Sequence, residues 1–292
     1  MVPFDLKPMR ILLVPPGASL KRIAIDLQEA SIIRSSFLFR TMIRLQGNAQ
    51  DLQAGEYAFS GHLSMRDVAL KLRSGDVVMH SLSLVEGVTE KQFLAQLEQT
   101  SFLQGNIENA LGEGWLLPDT YSFARDTLRQ TVLLKMNRAM ERFLNDAWES
   151  RAEGLPLDTP YEALILASIV EKETAIAEER GLVASVFINR LRAKMRLQSD
   201  PTIVYGLTDG VGVLGRSIRK SEIRRSHPHN TYVIKGLPPT PIAYPGRASI
   251  LAVLNPISSD YFYFVADGTG GHAFSRTLAE HNRNVRKWRA NR

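Results

Sequence analysis

Two stretches at a constant offset of 70 residues carry one pattern, and this repeat limits the folds open to the chain more than any other feature. Gly17, Ser19, Ile23, Leu27, Ser31 and Ile32 recur as Gly87, Thr89, Phe93, Leu97, Ser101 and Phe102. Each copy follows an apolar, strand-like run, at residues 11–14 or 81–85. A Gly turn and a Ser or Thr N-cap then open a helix whose apolar residues lie four apart. Two copies are too few for a solenoid, so the pattern predicts a duplicated small α/β unit. Between the copies, residues 37–45 read as a basic amphipathic helix and QAGEY at 53–57 as a turn into a strand. Residues 64–72 read as a helix closed by Ser74 and Gly75.

Beyond the second copy, residues 127–148 have helical apolar spacing through Val132, Leu133, Met136, Met140, Phe143 and Leu144. GLPLDTP at 154–160 breaks the chain, and Thr159-Pro160 starts a helix. Helices are expected over 161–179 and 181–195, then short strands and Pro/Gly loops, including GLPPTPIAYPG at 236–246. YFYFV at 261–265 reads as a strand, meeting a turn DGTGG and then HAF. Without an alternating βαβ pattern, the fold class is α+β.

With 292 residues, 44% apolar and 23% charged, the chain is globular and long enough for two domains, with the boundary expected at 1–80 and 81–292. It has no cysteine, which excludes disulfides, thiolate nucleophiles and Cys-based zinc sites. The net charge of +6 favours an anionic partner: nucleic acid, membrane or wall polymer. No run reaches the roughly 18 to 20 apolar residues that span a bilayer. The opening MVPFDLKPMR lacks a signal-peptide pattern, so the expectation is a cytosolic protein or one that has lost an upstream segment.

Chemistry concentrates in ALILASIVEKET, residues 163–174. At about 100° per residue, Leu164, Ala167, Ser168 and Glu171 share one narrow helix face, with Glu173 almost opposite Leu164. A carboxyl ending an apolar stripe is desolvated, which raises its pKa and suits it to general acid work. Glu171 is therefore the candidate, whereas Glu173, Glu178 and Glu179 read as solvated. In LQSDPT, Gln198 and Asp200 either face one cleft or form an Asx-turn before the proline. His227 and His229 lack a third ligand at metal-like spacing, so no metal site is expected. GTGG at 268–271 opens no helix and reads as a β-turn. The basic run at 282–289 has no interleaved aromatics and reads as a solvated helix face.

ASIVEKET, VASVFINRLRAKMRLQSDPTIVYG, HNTYVIKGLPPTPIAYPG and YFYFVADGTGGHAF together resemble the endolytic murein transglycosylases, the YceG-like family of cell-wall enzymes. The resemblance is collinear from about Val14 to the end. It implies a LysM-like glycan-binding N-terminal module followed by a mixed α+β YceG-like catalytic domain. It also implies cleavage of the β-1,4 bond between N-acetylmuramic acid and N-acetylglucosamine inside a peptidoglycan strand, leaving 1,6-anhydro ends. No cofactor is needed, and one Glu serves as acid and then base. The resemblance puts that Glu at Glu171. Gln198, Asp200, Asn230 and Tyr232 align with motifs expected to line the glycan cleft, with Tyr205 or Tyr232 offering a stacking face. Family members carry an N-terminal transmembrane helix that holds the enzyme on the periplasmic side of the inner membrane, near penicillin-binding proteins. This chain then reads as a truncated soluble form. Two rival classes are a wall-binding scaffold without catalysis and a nucleic-acid binder, the latter resting on pI alone.

Overall fold

The structure, a computed structural model, describes residues 4–47 and 50–290. Residues 1–3, at the head of the opening segment that lacks a signal pattern, lie outside the described residues. The elements in order are β1 (Phe4–Val14), α1 (Leu20–Glu29), α2 (Ser36–Leu45), β2 (Gly55–Leu63), α3 (Met65–Ser74), β3 (Met79–Leu84), α4 (Glu90–Gln99), β4 (Leu103–Gln104), β5 (Asp119–Ala124) and β6 (Thr127–Leu128). There follow α5 (Arg129–Glu149), α6 (Pro160–Glu173), α7 (Ala177–Arg192), α8 (Asp200–Thr208), α9 (Lys220–Ile223), α10 (Arg247–Leu254), β7 (Tyr263–Ala266), β8 (His272–Ser275) and α11 (Leu278–Ala290). This is a mixed α+β fold with several two-stranded sheets. None of its described helices is long and apolar enough to cross a membrane.

The chain divides into two compact units. The first comprises Met1–Leu82 together with Ser101–Gln104 and Tyr121–Leu128, and the second takes the rest. In the first, β1 and β2 pair antiparallel with Leu12 opposite Tyr57. Strand alternation turns Leu12, Val14, Tyr57 and Phe59 into the core and leaves Ile11 and Leu13 exposed. α1, α2 and α3 close that core with Ile23, Leu27, Phe39, Ile43, Val68 and Leu72. Gly75 ends α3 in the left-handed conformation that its lack of a Cβ permits.

Both copies of the repeat have the expected form. Gly17 and Gly87 each sit at φ 75°, and the hydroxyls of Ser19 and Thr89 cap α1 and α4. The first copy belongs to the first unit, and the turn and helix of the second belong to the second unit.

The second unit is built around α6. Every residue from Ala163 to Val170 is buried, so this helix is enclosed by α5, α7 and α10 rather than lying on a surface. Two expectations are corrected here. The break after α6 falls at residues 174–176, not near Arg180, because Thr174 turns extended and its hydroxyl accepts the Ile176 N–H at 3.0 Å. Gly181 instead lies inside α7, where a Cβ would stand 2.7 Å from Ile257. Between residue 195 and β7 the chain holds α8, α9 and α10 instead of short strands. Pro201 starts α8 because its fixed φ suits the first helical turn.

Candidate active site

α6 ends on a cavity of about 500 Å³ in the second unit. Glu173 lines it from the last position of that helix, with Arg190 from α7, Gln198 from the loop into α8, Asp200 from the start of α8, Tyr232, and the β7–β8 hairpin. The expected solvation of Glu173 is therefore corrected. The helix is buried on all sides through Val170, and beyond that point its last carboxyl opens into the cavity its neighbours leave. Burial pushes the Glu173 carboxyl up to about 7, and Asp200 repels the charged form in the same direction. The Ser199 hydroxyl, His272 and Arg190 pull the other way. A carboxyl with this proton affinity holds a proton near neutral pH and can return as a base.

The walls are rigidly tied. Arg190 donates from Nε to the Phe262 carbonyl at 2.7 Å and from Nη1 to the Leu197 carbonyl, which pins the hairpin and the α8 loop to α7. Gln198 adopts φ 51°, a strained backbone that presents its exposed side chain to the cavity, and its N–H donates to the Thr231 carbonyl at 3.1 Å. The Tyr232 hydroxyl donates to Asp200 Oδ1 at 2.6 Å. Glu179, also expected to be solvated, is partly buried; its Oε2 lies 2.6 Å from His272 Nδ1 and fixes the hairpin.

Of the residues singled out in the sequence, Gln198, Asp200 and Tyr232 meet in this cavity, and three others do not. Asn230 is 2% exposed and spends its amide on the carbonyls of Glu222, Ile223 and Arg225, so it builds the turn that carries Tyr232. Tyr205 lines a neighbouring cavity and binds Glu113. Glu171 accepts from the Gly246 N–H at 2.9 Å and the Ser249 hydroxyl at 2.7 Å. Gly246 and Ser249 form the first turn of α10, where the helix dipole favours a negative group. Glu86 is close enough to Glu171 that burial first, and this neighbour second, raise its pKa.

Periodicity alone missed Glu173, Arg190, Tyr263 and His272. Their signal lay in the longer motifs: EKET contains both glutamates, and FINR and GGHAF carry Arg190 and His272. His227 and His229 face each other, His229 Nε2 lies 2.8 Å from the Thr240 hydroxyl, and burial lowers His229 to about 4. GTGG forms a tight turn in which Asp267 Oδ1 accepts from the Thr269 and Gly271 N–H groups.

The sequence profile of the YceG-like family matches residues 12–287. The chain belongs to the YceG-like family. It is 29% identical to an endolytic murein transglycosylase of Bacillus subtilis (strain 168), over 94% of this chain and 83% of that protein. An endolytic murein transglycosylase of Streptococcus pneumoniae serotype 2 is also 29% identical over 93% of this chain. The chain spans only 57% of that pneumococcal relative. The crystal structure of a YceG-like protein from Listeria monocytogenes superposes with a TM-score of 0.58 at 27% identity, covering 95% of this chain and 99% of that one. The YceG-like fold thus extends through both units.

Proposed function

We propose that the chain is an endolytic lytic transglycosylase of peptidoglycan in which Glu173 is the single acid and base. The observation that carries this reading is a half-buried carboxyl with a pKa near 7, in a cavity it shares with Asp200, Gln198 and Tyr232. The protonated carboxyl gives its proton to the glycosidic oxygen between N-acetylmuramic acid and N-acetylglucosamine as the C1–O bond breaks. The resulting carboxylate then takes the proton of the muramyl C6 hydroxyl as that oxygen attacks C1 and closes the 1,6-anhydro ring. Water is not consumed, so a second, water-activating carboxylate is not needed. Asp200, held by the Tyr232 hydroxyl, supplies negative charge beside the oxocarbenium-like centre.

The first unit, with its run of strand, two helices and strand, supports the reading of a LysM-like module that grips the strand. A nascent-strand substrate places the enzyme on the outer face of the cytoplasmic membrane, beside penicillin-binding proteins. The basic charge suits the carboxylates of wall and lipid there.

A second reading keeps Glu171 as acid and base, as the family resemblance implies. One experiment tests both: uncrosslinked peptidoglycan strands are incubated with the native chain, Glu173→Gln or Glu171→Gln, and the products are weighed by mass spectrometry. Internal cuts with anhydro ends that vanish only in Glu173→Gln are expected. Their loss only in Glu171→Gln would transfer the role. Reducing ends would mean a hydrolase, and uncut strands with retained binding would favour the scaffold.

A further inference from the structure

A second cavity, of about 380 Å³, shares Asp200 with the first and is lined by apolar side chains, among them Pro201, Val204 and Ile242, and by the polar Thr89, Gln92 and Thr208. Its only charged lining groups among the described residues are Asp200 and Lys172, the residue before Glu173. Lys172 is exposed and donates one of its three protons to the Gly87 carbonyl at 3.0 Å, which leaves two donors for a ligand. The Tyr205 ring forms a wall and is held in place from behind. Its hydroxyl bonds Glu113, whose Oε1 accepts the Glu90 N–H at 2.9 Å. Glu113 is 8% exposed, and burial raises its pKa to about 7, so its negative charge is reduced near neutral pH beside a site for an anion.

We infer that this cavity is a second saccharide subsite that takes a lactyl-bearing sugar of the strand, with Lys172 binding the carboxylate on its arm. The inference rests on the transglycosylase reading. Its volume admits one pyranose ring, whose apolar face suits Tyr205 and the aliphatic wall. A fixed aromatic platform and one ammonium form a site that distinguishes muramic acid from N-acetylglucosamine, since the two sugars differ by that acidic arm. Lys172 and Glu173 are consecutive residues, so one helix end sets both the reacting bond and the choice of polymer. The carboxylate is either that of a bare lactyl arm or one on the stem peptide attached to it.

Calorimetric binding tests this without turnover when the chain and each variant also carry Glu173→Gln, using three ligands of equal length: a peptide-free muramyl oligosaccharide, its stem-bearing counterpart and a chito-oligosaccharide. Glu173→Gln alone should bind a muramyl ligand about tenfold tighter than the chito-oligosaccharide. Lys172→Met should abolish that preference and leave chito-oligosaccharide affinity unchanged, the scale of one charge-assisted hydrogen bond. Loss confined to the peptide-free ligand identifies the lactyl carboxylate, and loss confined to the stem-bearing one identifies the stem. Tyr205→Ala should weaken all three alike. If the core does not tolerate that change, Tyr205→Phe, which frees the ring from Glu113, should give a smaller loss in the same sense. Unchanged preference in Lys172→Met, or an equal loss for the chito-oligosaccharide, overturns the inference and leaves the role of Glu173 standing. Intact Lys172-dependent binding without any strand cleavage by the native chain would sink the catalytic reading instead.

Discussion

Two carboxylates stand two residues apart at the end of α6, in opposite chemical situations. Glu171 accepts two short hydrogen bonds from the first turn of α10, so its neighbours use it as an acceptor. Glu173 lies in an open cavity where burial and Asp200 disfavour its charge. Residue type and motif membership are identical. What differs is the balance: two donors hold the Glu171 carboxylate, whereas at Glu173 burial outweighs the Ser199 hydroxyl. The largest expected effect follows: Glu173→Gln lowers strand cleavage on the order of 10³-fold, as removal of a general acid does, with folding retained. In the native enzyme, cleavage should fall as pH rises through about 7, where the acid form of Glu173 is lost. A pH profile flat between 6 and 8, or an equally deep loss in Glu171→Gln, would erase the distinction.

A third carboxyl sharpens it. Glu113 shares the raised pKa of about 7 but is 8% exposed and bonded to Tyr205 and the Glu90 N–H. The folded state holds this proton more tightly than the unfolded one. Its stabilising contribution is complete below about pH 4.5 and is lost as pH rises to about 7, by at most about 3 kcal/mol. Glu113→Gln, which cannot ionise, should match the native chain at pH 4.5 and be more stable than it at pH 8, by urea titration. Equal stability differences at both pH values would show that Glu113 is not the source of that pH dependence.

How legible these environments were in the sequence depended on what fixes each element. The capped helices and the β1–β2 pair are set by local chemistry: Ser19, Thr89 and Gly75 act within a few residues of themselves. Alternation in residues 11–14 and 57–59 likewise describes a sheet with one buried face. α6 defeated the same reasoning, because a helical wheel infers solvation from one apolar face and this helix is buried on all of them from Ala163 to Val170. α8 and α10 carry too little periodicity to read, and their existence depends on Thr231 and Glu171, which are distant in sequence from the turns they hold. The site was visible as motifs, yet the partners of each side chain were not. That is why Asn230, which ties a turn, and Tyr232, which faces the cavity, looked alike.

Tyr232→Phe probes the cavity wall with a smaller change. It removes the hydroxyl that donates to Asp200 and keeps the ring, so kcat/KM should fall about tenfold while the melting temperature stays near native. A native kcat/KM would mean that Asp200 needs no orientation.

The smallest effect belongs to Glu171. A Gln there keeps an oxygen for the Gly246 N–H and the Ser249 hydroxyl but removes the charge at the start of α10. Relief of its repulsion with Glu86 partly offsets that loss, because burial and the Glu171 charge together raise the Glu86 pKa. The net cost should be about 1 kcal/mol, or about 2–4 °C in melting temperature, with cleavage within a few-fold of native. Gly246→Ala approaches this helix start from the other side: its Cβ would overlap only the end of the exposed, flexible Glu86 side chain, which can swing aside, so it should cost no more than Glu171→Gln does. If Glu171→Gln instead stops cleavage with the melting temperature unchanged, the structural and chemical roles of the two glutamates are exchanged.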